Sequence, residues 1–154
     1  AHTGEMGGRL AFGKTVEVNG HRIEMLKLML EPQMKVETFE LHHPGKSFSF
    51  NTLQSLSNTY PEARFSWVIG TDNLSKFHLW EKYQELLEKF TVYVYPREGS
   101  KFEPLYDNMI ALTKAPLVRF SSTGIREKIK KGENITGLVD PKVEQYIKEH
   151  QLYQ

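Results

Sequence analysis

The chain has 154 residues, a formal net charge of +1 and 25 % charged residues, which suits one domain and excludes whole-chain electrostatic attraction to nucleic acid or to an anionic membrane. It has no cysteine, so disulfides and thiolate metal sites are ruled out, and a reducing compartment fits. No apolar run approaches the about 20 residues of a membrane span and no signal peptide is read, which makes a cytoplasmic protein the default expectation.

In chain order, residues 1–20 are rich in glycine and lack sustained periodicity. They read as a poorly specified lead-in, with the alternation Thr15-Val16-Glu17-Val18 before the turn Asn19-Gly20 suggesting a hairpin. Residues 21–154 read as a single domain. Ile23, Leu26, Leu28, Met29 and Leu30 predict an amphipathic helix that ends before Pro32. Val36 to Leu41 alternates as a half-buried strand, broken at His42-His43-Pro44-Gly45. A helix over Phe48 to Asn58 follows, with Ser47 or Ser49 near its start.

Phe65 to Ile69 is short and apolar and predicts a buried strand, and Gly70-Thr71-Asp72-Asn73 is a loop. The loop leads into one helix carrying Leu74, Phe77, Trp80, Tyr83, Leu86 and Leu87 at spacings of three and four. Phe90 to Tyr95 is the next strand. After an irregular stretch, Ala115 to Phe120 predicts a strand, Ile125 to Lys131 a helix closed by Gly132, and Pro141 to His150 a last helix. Strands alternating with helices imply an α/β domain with a mostly parallel sheet, and such sheets bind ligands beyond the carboxyl ends of their strands.

Two corners fall at such ends. Ser121, Ser122 and Thr123 combine hydroxyls with the unpaired N–H groups of a first helical turn, which is an anion site, and Arg126 is expected in that turn. A cation there opposes the helix dipole unless an anion such as phosphate offsets it. The same residues also describe an ordinary Ser/Thr cap with Arg126 in solvent. Asp72 either caps the following helix or recognises a hydroxyl or base, with Gly70 letting a ligand approach the backbone. A single cleft at one sheet edge is expected to gather the carboxylate, the hydroxyls and Arg126. Trp80 is either core or a flat stacking surface, and Arg97 either meets a phosphate or carboxylate or is solvated. His42 and His43 are adjacent, a poor spacing for two ligands, and no metal site is assigned.

Together these segments resemble a family. Ile69 to Leu74 with Phe77 and Trp80, Tyr95-Pro96-Arg97-Glu98-Gly99, Ser121 to Arg126, and Leu138-Val139-Asp140-Pro141 with Val143, Tyr146, Ile147, Leu152 and Tyr153 are similar to bacterial nicotinate-nucleotide adenylyltransferases. His21 to Leu26 and Ser47 to Leu53 are similar to two further family segments. The resemblance implies a Rossmann-like nucleotidylyltransferase fold and transfer of AMP from ATP to nicotinate mononucleotide, giving deamido-NAD and pyrophosphate with Mg²⁺. It implies that Gly70 and Asp72 contact the adenosine, that Ser121, Ser122, Thr123 and Arg126 hold ATP phosphates, and that Trp80, Ser49 and Arg97 meet the mononucleotide. Nucleic acid polymers and membranes are not implied as partners; a second copy of the chain is kept as one.

The family opens with a strand, a glycine-rich turn carrying a histidine pair, and a helix. His2-Thr3-Gly4-Glu5 resembles that signature with Glu5 in place of the second histidine, so His2 is the one candidate from it. Only twenty residues precede His21, whereas a βαβ unit takes about 30, so the first such unit is expected to be missing or altered. Three readings stay open: a fragment, a diverged nucleotide-binding domain without catalysis, or a site completed by a second chain. A different adenylyl- or cytidylyltransferase is the further enzyme alternative.

Overall fold

A computed structural model describes residues 16–38, 48–117 and 119–154 of the chain. His2 and the rest of the expected lead-in up to residue 15, Phe39 to Leu41 of the expected strand, His42, His43 and Ser47 lie outside the described residues. The described residues fall into two compact units, one comprising 37–38 and 48–117 and the other 16–36 and 119–154.

Among its described residues, the first unit is built on three parallel strands in the order β1-β2-β3, with β1 Ser66–Gly70, β2 Thr91–Tyr95 and β3 Met109–Ala111. Val68 of β1 pairs with Tyr93 of β2, which pairs with Ile110 of β3. The alternation of a pleated strand then sends Trp67, Ile69, Val92 and Val94 to the opposite face, where all four are buried. On that face they pack with Phe50, Leu53, Leu74, Phe77, Leu86 and Phe90. β1 was expected to be buried on both faces, yet Val68 is 38 % exposed and the strand alternates. Its apolar run therefore reflects β propensity as much as burial.

Helix α2, Ser49–Thr59, buries Phe50, Thr52 and Leu53. Phe48 holds its N-cap position with no side-chain hydrogen bond, so Ser49 is the first helical residue and not the cap. The single helix expected after Gly70 is two: a 3₁₀ helix, Thr71–Leu79, and α3, Tyr83–Lys89. The break falls at Trp80, which has an extended ψ of 138°, and at Lys82, which takes the left-handed φ of 53°. Spacings of three and four persist through it because Leu74, Phe77 and Leu86 all reach the same core.

β3 replaces the strand expected at Ala115 to Phe120. Among the described residues, that segment forms no strand, and Leu117 and Phe120 are 46 % and 48 % exposed. Pro116 also has no N–H to give a ladder. β3 itself is short and was hidden in the irregular stretch. It is set by Asn108, whose Nδ2 donates to the carbonyls of Leu87 and Phe90 and whose own carbonyl accepts from Val92 N–H.

In the second unit α1 is Val16–Lys27, five residues longer at its start than expected and shorter at its end. Asn19-Gly20, read as a turn, lies inside it. The local turn preference loses because Met25, together with Leu28 just past the helix end, docks on the cluster of Ile135, Val143 and Ile147. Met29 N–H and Leu30 N–H reach back only three residues, tightening the end before Pro32, and both side chains are exposed. Residues 36–38 form no strand.

Helix α4, Ser122–Lys130, and α5, Pro141–Glu149, present Ile125 and Ile129, and Val143 and Ile147, to that cluster at a spacing of four. Gly132 closes α4 as expected. Its φ is +68°, its N–H donates to Ile129 and that of Glu133 to Lys128, the paired bonds of a Schellman end. Asp140 caps α5, with Oδ1 accepting from Lys142 N–H at 2.8 Å and Pro141 in the first turn.

Candidate active site

β1 and β2 run parallel in register, so Gly70 and Tyr95 end them side by side, and the segments that follow meet at one corner. Thr71, only 3 % exposed, accepts a hydrogen bond from Arg97 N–H at 2.9 Å. Its hydroxyl lies 2.8 Å from that of Ser100, and Ser100 donates to the Arg97 carbonyl at 3.2 Å. Thr71 therefore donates to Ser100, and the three residues form a closed ring that fixes where Arg97 leaves the strand.

The ring brings two expected site residues together. The Arg97 guanidinium Nε is 3.9 Å from Asp72 Oδ1, with the carboxylate half exposed and the arginine largely covered. Asp72 is the second residue of the 3₁₀ helix, and Gly70 holds the cap position, so Asp72 is no N-cap. Asn73 Nδ2 bridges weakly to the Gly70 carbonyl and to Asp72 Oδ1, at 3.4 and 3.5 Å.

Gly70 is required here by space. A Cβ on it would stand 2.3 Å from Asp72 Oδ1 and 2.7 Å from Arg97 Cγ. The corner thus offers a carboxylate able to accept from hydroxyl or amino groups and a guanidinium able to grip a phosphate or carboxylate, packed together over the buried Gly70.

Trp80 is half-buried, with its ring centroid 4.9 Å from that of Phe77 at an interplanar angle of 37°. It packs on the rim of the first core while keeping part of its surface in solvent. Phe77 also meets Tyr83 and Tyr106, so the tryptophan rests on an aromatic bed. Ser49, half-buried, opens α2, and the next residue, Phe50, carries the Lys82 ammonium 5.2 Å above its ring.

In the second unit Ser121 caps α4. Its Oγ accepts from Gly124 N–H at 3.0 Å and its carbonyl from Ile125 N–H. Ser122 and Thr123 are the first two helical residues, both exposed, and helix geometry gives their N–H groups no intrahelical acceptor. Arg126 is the fifth residue of the helix and not, as expected, in its first turn. Its guanidinium nevertheless reaches back, Nη2 donating to Thr123 Oγ1 at 3.2 Å. Two hydroxyls, two N–H groups and a guanidinium are thereby grouped at one helix start.

Asp72 pairs with Arg97 within its own unit. Thr71 and Ser100 were not singled out from the sequence. The bonds of Thr71 depend on the pairing of β1 with β2, and nothing local in the sequence marks Ser100.

Residues 8–128 match the cytidylyltransferase-like family. Among curated relatives, a protein of Flavobacterium johnsoniae named a probable nicotinate-nucleotide adenylyltransferase is 37 % identical over 137 residues, covering 86 % of this chain and 71 % of the relative. One of the same name from Caldicellulosiruptor bescii is 35 % identical over 143 residues, covering 86 % and 72 %. The fold is also that of the Plasmodium falciparum nicotinic acid mononucleotide adenylyltransferase complexed with NaAD, at a TM-score of 0.64 and 18 % identity over 87 % of this chain and 73 % of that one. Parallel strands flanked by helices, a glycine-acid corner at the end of β1 and a Ser-capped helix that carries Arg126 thus occur in a chain that belongs to the nicotinate-nucleotide adenylyltransferase family of nucleotidyltransferases.

Proposed function

We propose that this chain transfers the adenylyl group of ATP to nicotinate mononucleotide, as a cytoplasmic step of NAD biosynthesis. A phosphate oxygen of the mononucleotide attacks the α-phosphorus of ATP, the bond to the β-phosphate oxygen breaks, and deamido-NAD and pyrophosphate result. The observation that carries this reading is the Gly70-Asp72-Arg97 corner, where the missing Cβ lets a carboxylate and a guanidinium come together at the end of β1.

In this reading Gly70 and Asp72 receive the adenosine, while Ser121, Ser122, Thr123 and Arg126 hold the phosphates. Trp80 stacks on the nicotinate ring, and Ser49 and Arg97 bind the rest of the mononucleotide. His2 is the remaining catalytic candidate. Displacement at phosphorus needs little covalent help from the protein, so positioning and charge stabilisation supply the rate. Among the described residues, no group of three or more His, Asp or Glu could hold a metal ion. Mg²⁺ bound with ATP would supply neutralisation of the phosphate charge beside Arg126 and the start of α4.

The test is pyrophosphate release from ATP, Mg²⁺ and nicotinate mononucleotide. Turnover is expected, falling about 10²–10³-fold in Arg126→Ala, the loss typical of one transition-state donor. Trp80→Ala is expected to raise KM for nicotinate mononucleotide far more than KM for ATP. ATP binding without pyrophosphate release by folded protein would overturn the catalytic reading in favour of a nucleotide-binding domain.

A further inference from the structure

We infer that His21 and His150 form a two-imidazole site for a divalent d-block cation such as Zn²⁺, Ni²⁺ or Cu²⁺, clamping α1 to the end of α5. The two side chains come from opposite ends of the described sequence yet meet around Tyr146, which lies 125 residues after His21. His21 Nδ1 is 2.9 Å from the Tyr146 hydroxyl, and His150 Nδ1 is 3.0 Å from the Tyr146 carbonyl oxygen. A carbonyl only accepts, so His150 Nδ1 carries the proton and its Nε2 the lone pair. The phenol oxygen can accept in the same way from His21, leaving that Nε2 free as well. Metal-binding histidines have this arrangement, with the far ring N–H donated to a carbonyl or other acceptor.

The ring separation fits. A metal–nitrogen bond of about 2.0–2.1 Å, with about 1.2 Å from nitrogen to ring centre, puts two imidazole centroids about 5.2 Å apart across a tetrahedral ion. The observed centroids are 5.2 Å apart, with the rings at 63°. Tyr146 holds the pair in place: His150 stacks on it at 4.0 Å and 22°, and His21 meets its edge at 5.8 Å. His150 is exposed and His21 half-buried, so an ion has access. Among the described residues, no third His, Asp or Glu completes a cluster. Water fills the other positions, and affinity follows the order Cu²⁺ above Ni²⁺ and Zn²⁺ expected of nitrogen ligands.

The test is thermal unfolding of the full chain titrated with ZnCl₂ in a buffer free of chelators. Binding only to the folded state raises Tm by about 3–6 °C once free Zn²⁺ stands tenfold above Kd, and EDTA reverses it. His150→Ala is expected to leave the zinc-free Tm within about 2 °C and to abolish the shift; a shift unchanged in that variant overturns the proposal. His21→Gln keeps the polar contact to Tyr146 and should abolish the shift too. As an independent measurement, substoichiometric Cu²⁺ should broaden the imidazole resonances of His21 and His150 together and before those of His78. Broadening confined to other histidines would overturn it.

Discussion

At the scale of single residues, the site depends on a glycine and a threonine that do no chemistry. Gly70→Ala forces a methyl into a gap where Asp72 Oδ1 and Arg97 Cγ already stand within 2.7 Å of it. The two charged side chains must part, so KM for ATP should rise at least tenfold, and stability should fall by about 1–3 kcal/mol as in other overpacked sites; steady-state kinetics beside urea unfolding checks both. Thr71→Val removes the middle of the Thr71-Ser100-Arg97 ring and leaves the Arg97 N–H without its acceptor. Such a loss costs about 1–3 kcal/mol, and it frees Arg97 from Asp72, so the expected outcome is a loss of stability together with weaker mononucleotide binding. The residues that were legible in the sequence are those with unusual chemistry for their place, namely Gly70, Asp72, Arg97 and the Ser121-Ser122-Thr123 cap. Thr71 and Ser100 were not, because a hydroxyl acquires its meaning only when the strands bring its partner to it.

At the scale of elements, signals that the backbone itself requires are legible in the sequence, and weak local preferences are not. Gly132 and Pro141 were placed correctly because a left-handed C′ position and a first-turn proline are chemical requirements of the backbone itself. Asn19-Gly20 misled, since its turn preference is weak and the docking of Met25 outweighs it. The same substitution at the two glycines should therefore act with opposite sign. Gly132→Ala places a Cβ at φ +68° and should cost about 1 kcal/mol, whereas Gly20→Ala, exposed inside α1 with nothing within 4 Å, should gain about 0.5–1 kcal/mol. Paired thermal melts decide it. Helix α5 adds a pH dependence. The hydrogen bond from Lys148 first, then that from Thr136, holds the Glu144 carboxyl below the usual carboxylate range. A folded value below the unfolded one means stability that is present above the unfolded pKa of about 4.3 and lost as pH falls through the folded value. Glu144→Gln should accordingly flatten the acid limb of urea stability, with little change in its slope near pH 7.

At the scale of the whole molecule, the two units differ in how much each buries. Among the described residues of the first, ten buried hydrophobic residues join strands and helices in one cluster, and Ile69, Leu74, Phe77, Leu86, Val92 and Val94 have no exposed surface. Among the described residues of the second, Ile135, Val143 and Ile147 are the buried centre, ringed by partly exposed side chains from α1, from α4 and from the segments that flank α5. Apolar burial is the main favourable term, at roughly 25 cal/mol per Å², so the second centre has less to resist local opening. Native-state hydrogen exchange should reflect this. The amides of Val92 and Leu112, which donate to Asn108 and Val94 across the ladder, are expected to exchange only by global unfolding. Those of Lys131 and His150, at the ends of α4 and α5, are local probes, and the interior amides of both helices should exchange at least tenfold faster than the ladder does. Equal opening free energies in helices and ladder would instead mean that the chain opens as one cooperative body. Adding ATP separates the causes further: a ligand bound through Ser121, Ser122 and Thr123 should slow exchange at the start of α4 more than at its end, because only the first turn offers it N–H groups.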